Sequence, residues 1–137
     1  MKIFLLFFTT IIMNCSAQQG KYDLILKKLD KNHQFKLDSG EFMLETELEY
    51  TMKLDSLMKV IYNDLIVVKK TNVKNIEIEQ NKWIKQFDIQ IKNIWKPLNE
   101  SMNEIGFISN DEKMFVYNKK SELIRIRILE LINKFNK

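Results

Sequence analysis

Tyr50-Thr51-Met52-Lys53-Leu54-Asp55-Ser56-Leu57-Met58-Lys59-Val60-Ile61-Tyr62 is the stretch on which the fold turns. Tyr50, Leu54, Leu57 and Ile61, continued by Leu65 and Val68, step by 4, 3, 4, 4 and 3. That is one apolar stripe on a helix. Leu44, Leu48, Met52, Met58, Tyr62 and Ile66 add a second stripe beside it. A helix apolar over so wide an arc must pack against more than one neighbour. Ile66-Val67-Val68 is β-branched, but no alternating partner strand lies nearby, so the helix is expected to run from about Gly40 to Val68. Ser39 is the expected N-cap, with Glu41 in the first turn.

Working outward, Lys69 to Asn75 is a short polar turn, which makes the next helix an antiparallel neighbour. That helix is expected over Val73–Trp95. Ile76, Gln80, Trp83, Phe87, Ile91, Ile94 and Leu98 form its stripe, and Ile84, Asp88, Ile91 and Trp95 adjoin it. Gln80 and Asp88 thus fall inside an apolar face. Pro97 is expected to end or kink the helix. A last helix is predicted over Asp111–Phe135, capped by Ser109 or Asn110, with Arg127 bordering the stripe Tyr117, Ile124, Ile128, Leu131 and Phe135. The fold class is therefore all-α: an antiparallel bundle of three main helices, with a short N-terminal helix at Lys21–Asp30.

The N-terminus reads differently. Lys2 precedes an apolar run, Ile3 to Met13, and Cys15-Ser16-Ala17 supplies small residues for cleavage. This is the pattern of a secretory signal peptide, too short to span a bilayer. Two forms stay open: cleavage after Ala17, giving a periplasmic or secreted protein, or lipidation at Cys15. The division is residues 1–17 as signal peptide, 18–38 as an entry segment and 39–137 as the helical domain. Cleavage after Ala17 would remove the single cysteine, leaving the domain to be held by its core alone.

The chain of 137 residues is 45% hydrophobic and 29% charged, with a net charge of +4. The charge is well mixed, which together with export argues against nucleic acid as a partner. No Gly-rich phosphate loop, metal-ligand spacing or nucleophile–base–orienter set is found. His33, the only histidine, is expected in a solvated polar loop. Catalytic residues, metal and cofactor are thus all expected to be absent. Asp55, Gln80, Asp88 and Arg127 point towards the inferred core. Buried polar groups need partners. Arg127 is expected to reach Asp55 or Asp88, with Gln80 bridging the first two main helices. Trp95, beside Lys96-Pro97, is a candidate anchor for a partner.

Asp55-Ser56-Leu57-Met58-Lys59-Val60-Ile61-Tyr62, followed by Ile76, Gln80, Trp83 and Asp88, resembles the motif of the LprI-type lysozyme-inhibitor domain family of exported bacterial proteins. Asp55, Tyr62, Gln80, Trp83 and Asp88 match in type and spacing. Arg127 with Leu131 matches the pair on the family's closing helix. The resemblance covers roughly Glu41 to Phe135. Lys59 stands where the family has Asn, and Phe87 where it has Arg. The two family half-cystines, which would fall near Thr46 and Ile91, are missing. The resemblance implies a helical cell-envelope protein that binds lysozyme or another cell-wall hydrolase. The alternative is a non-enzymatic helical adaptor with an unrelated envelope partner.

Overall fold

The structure is a computed structural model that describes residues 2–136, with side chains from Ala17 to Asn136. Among these, all regular structure is helical: α1 (Lys2–Asp38), α2 (Met43–Val68), α3 (Val73–Ile105), α4 (Asn110–Asn133), and a closing 3-10 turn, Lys134–Asn136. The bundle is all-α, as its sequence periodicity predicts. No helix of the described residues is long and apolar enough to cross a membrane.

The core lies between α1, α2 and α4. Tyr22 and Leu26 enter from α1. Leu54, Ile61 and Leu65 come from α2, and Ile124, Ile128 and Leu131 from α4. Phe135 of the final turn closes the end. Tyr22 stacks on Phe135 at 5.9 Å between centroids. Contacts fix the directions. Tyr22, midway along α1, meets Asp64, and Asp30, further along, meets Tyr50, so α1 and α2 are antiparallel. Asn136 meets Gln19 and Arg125 meets Asp30, so α1 and α4 are antiparallel too. It follows that α2 and α4 run parallel, with Thr51 Oγ1 lying 2.6 Å from Ser121 Oγ between them.

The helix predicted at Lys21–Asp30 is present within the longer α1. Three local expectations are corrected. Ser39 does not cap α2. Its hydroxyl donates back to the Lys36 carbonyl at 2.7 Å, and with Gly40 at φ 72° it ends α1 instead. The N-cap of α2 is Phe42, in the left-handed region at φ 49°. His33 lies on α1 and not in a loop. Pro97 does not end the second main helix, because α3 continues to Ile105 and Gly106, at φ 85°. Proline removes one backbone hydrogen bond, to the carbonyl four residues back. Here that residue, Asn93, and Pro97 itself are exposed, so water can satisfy the freed carbonyl. At α4 the cap is Ser109. Its hydroxyl accepts from Glu112 N at 3.2 Å, and the Glu112 carboxylate accepts from Ser109 N at 2.8 Å, a reciprocal capping box.

The second main helix, α3, is the exception to the packing. Over 33 residues, α3 buries only Ile76, Gln80 and Leu98. At about 1.5 Å per residue it is about 50 Å long. It is tied to α4 near its start, where Gln80 meets Arg127, and further along where Trp95 meets Tyr117 edge-on at 6.5 Å. Between these points it stands off from α2.

Candidate functional site: the cleft between α2 and α3

The stand-off leaves a cleft of about 460 Å³. Asp55, Met58, Lys59 and Tyr62 line it from α2, and Gln80, Trp83, Phe87 and Asp88 from α3. Five of the six residues singled out in the sequence therefore line one space, from two helices. The sixth, Arg127 on α4, lies behind it.

At the back of the cleft, Arg127 Nε donates to Gln80 Oε1 at 2.9 Å, and Arg127 Nη1 donates to Glu130 Oε2 at 2.8 Å. The guanidinium carbon lies 5.9 Å from the Trp83 ring, and Trp83 stacks on Phe87 at 4.8 Å. Arg127 is 5% exposed, and its Nη2 has no hydrogen-bond partner among the described residues. The expected carboxylate partners are corrected: Arg127 bonds neither Asp55 nor Asp88. Glu130 lies one turn along on α4 itself, which makes it a nearer partner than a carboxylate across the bundle. Gln80 bridges α3 to α4, and not α2 to α3 as the stripes suggested. The reason is that α4, not α3, is the close neighbour of α2.

Asp55 is paired on its own helix with Lys59 at 2.6 Å, and both side chains are well exposed. Asp88 is exposed on the opposite rim. Tyr62 is half-buried, and its hydroxyl is pushed up from its ordinary range, first by desolvation and then by the charge of Glu77. Trp95 is half-buried beyond the cleft, packed against Tyr117. The Cys15 side chain, like the other side chains before Ala17, on which the signal-peptide expectation falls, lies outside the described residues.

A second polar cluster, which the sequence reading missed, fills the seam of α1 with α2 and α4. Tyr50 Oη donates to Asp30 Oδ1 at 2.5 Å, and Arg125 donates to Asp30 Oδ2 through Nε at 3.0 Å and Nη2 at 2.8 Å. Desolvation first, and then the hydrogen bond to Asp30, raises the Tyr50 hydroxyl above the ordinary phenol range. His33 stacks on the Tyr50 ring at 3.9 Å and places Nε2 3.2 Å from Oε1 of Glu47, which is 3% exposed. Glu49 accepts from Lys36 at 2.5 Å and from Lys53 at 2.6 Å. The Lys36 bond foremost, with Lys53, holds its carboxyl at about 2. One signal for Glu47 was available: it precedes Tyr50, Thr51 and Leu54 by 3, 4 and 7 residues, which extends the α2 stripe backwards. Asp30, His33 and Arg125 had no such signal, because their contacts depend on how α1 docks.

Chemically, the two sites differ. The α1 seam holds charges met across it by Asp30, Tyr50, Arg125, Lys36 and Glu49, with His33 Nε2 and Glu47 Oε2 buried without a hydrogen-bond partner among the described residues. The cleft presents aromatic faces, an amide and carboxylates to the outside, which is the composition of a recognition surface. Among the described residues no cluster of His, Cys, Asp or Glu could hold a metal ion. No family model, curated protein or solved structure matches the chain.

Proposed function

We propose that this is an exported cell-envelope protein that acts by binding a protein partner, in the manner of an LprI-like inhibitor or binder of lysozyme or another cell-wall hydrolase. The observation behind this reading is the convergence of the motif residues. Asp55, Tyr62, Gln80, Trp83 and Asp88, read from two separate stretches of sequence, line one open cleft. The leader-like residues 1–17 agree with export independently. The protein binds without catalysing a reaction, and it takes no cofactor.

The second reading, a helical adaptor for an unrelated envelope partner, is favoured by one observation. The chain carries a net charge of +4, and lysozymes of the common type are themselves basic, so like charge slows their encounter. A turbidity assay of lysozyme on cell walls, with the protein lacking residues 1–17 in micromolar excess, decides between them. Slowed lysis supports the inhibitor; an unchanged rate leaves the adaptor. The mass of the exported product distinguishes cleavage after Ala17 from lipidation at Cys15.

A further inference from the structure

We propose that the cleft between α2 and α3 receives an arginine side chain flanked by apolar residues, presented by the partner protein. The inference rests on the reading that the chain acts through a protein partner, and it names the chemistry that the cleft selects.

Three features of the cleft point to a cation. Its walls are aromatic, with Tyr62 on α2 facing the stacked Trp83 and Phe87 on α3. Electron-rich ring faces attract a guanidinium and tolerate its planar stacking. Carboxylates stand on both rims, Asp55 on α2 and Asp88 on α3. Asp88 has no ion pair among the described residues, and the Lys59 partner of Asp55 is 69% exposed, a pairing easily exchanged. Arg127 behind Trp83 does not cancel this field, because its own charge is met by Glu130 at 2.8 Å. The charged residues of the cleft lining are thus two carboxylates against the one ammonium of Lys59, a small local excess of negative charge on a chain of net charge +4.

The alternatives fit less well. An anionic segment would bring its charge between two carboxylates. A wholly apolar segment would desolvate Asp88 with nothing to pair it, which is unfavourable for a charged carboxylate. An arginine places its charge at Asp88 and its aliphatic stem over Met58 and Phe87. The volume of about 460 Å³ holds such a side chain together with its apolar neighbours.

The test uses a short acetylated and amidated leucine–arginine peptide, and the same peptide with neutral citrulline in place of arginine. The indole N–H resonances of Trp83 and Trp95 are followed by NMR as each is added. The arginine peptide is expected to move the Trp83 signal and leave that of Trp95 in place. The citrulline peptide should bind about tenfold more weakly, as should Asp88→Asn towards the arginine peptide. Asp88 is exposed, so the melting temperature of that variant should match the parent. Equal binding of the two peptides, an undiminished affinity in Asp88→Asn, or no movement of Trp83 would overturn the proposal. Failure of the wider reading looks different. Peptide binding with no effect on lysozyme keeps the cleft and rejects the inhibitor. Inhibition that survives Asp55→Asn/Asp88→Asn keeps the inhibitor and rejects the cleft.

Discussion

The two flanks of α2 meet their neighbours in opposite ways. On one flank, α1 places Tyr22 and Leu26 fully in the core and locks the seam with Asp30, Tyr50 and Arg125. On the other, α3 leaves Trp83, Phe87 and Tyr62 half-covered around a cleft. Both flanks are apolar enough to pack. What separates them is where the polar groups find partners. On the α1 flank the partners lie across the seam, so satisfying them draws the helices together. On the α3 flank Gln80 bonds to α4 and Asp55 bonds within α2, so these two cleft residues do not tie α3 to α2. The stacked Trp83–Phe87 pair then fills part of the gap without closing it. A helix tied to its neighbours at few points is suited to recognition, and one that shares the core is suited to stability; α1 shares the core even though Ile25 and Leu29, with Leu48 and Met52 of α2, line an open apolar groove of about 660 Å³ beside the polar seam.

This contrast makes graded predictions. The largest loss is expected on the closed flank. Tyr22→Ala empties a fully buried site against Phe135 and should lower stability by about 3–5 kcal/mol in urea unfolding. Arg127→Ala ranks next. It strips Gln80 Oε1 of its donor and leaves a void beside Trp83, for a loss of about 3 kcal/mol. Lys119→Ala, which breaks only an exposed pair with Glu122, should stay within about 0.5 kcal/mol of the parent in the same measurement. Phe87→Ala, on the open flank, should cost about 1 kcal/mol, because its side chain is only partly covered. A loss equal to that of Tyr22→Ala would mean that the two flanks are alike.

The smallest effect concerns pH. The Glu49 carboxyl is held at about 2 in the folded protein, below its ordinary 4.5, by Lys36 first and then Lys53. Its contribution is therefore present above about pH 4.5 and lost as pH falls towards 2. Glu49 is 42% exposed, so solvent and salt screen most of this, and the contribution is well below about 1 kcal/mol. Glu49→Gln should slightly flatten the fall in melting temperature over that pH window, and added salt should erase the difference.

The stripe that began with Tyr50 and ran to Val68 identified α2 almost to the residue, because period and burial agree there. The cap of α4 was legible as Ser109 or Asn110, and the local pairing of Ser109 with Glu112 decides for Ser109. The candidate site was legible as a set of residues but not as a set of bonds. Gln80 and Arg127 were recognised as polar groups on apolar faces, yet the partner of Arg127 depends on which helices are nearest in space. The apolar stripe of α3 suggested a full core wall. In the structure that wall is α1, whose apolar positions Tyr22, Leu26 and Leu29 are spaced among lysines and read only as a short helix. Likewise His33 looked solvated because Glu47 and Tyr50 are brought beside it only by docking. Of the two readings of Pro97, the helix end fails because an exposed helix can bear the loss of one backbone bond.

Native-state amide hydrogen exchange on the protein lacking residues 1–17 tests the central contrast most directly. The amides of α1 from Tyr22 to Lys36 should be protected to nearly the same degree as those of α2 and α4, since all three share the core. The middle of α3, residues 84–94, should exchange through local opening at far lower free energy. Uniform protection along all four helices, or an α1 that exchanges as fast as the middle of α3, would contradict the account.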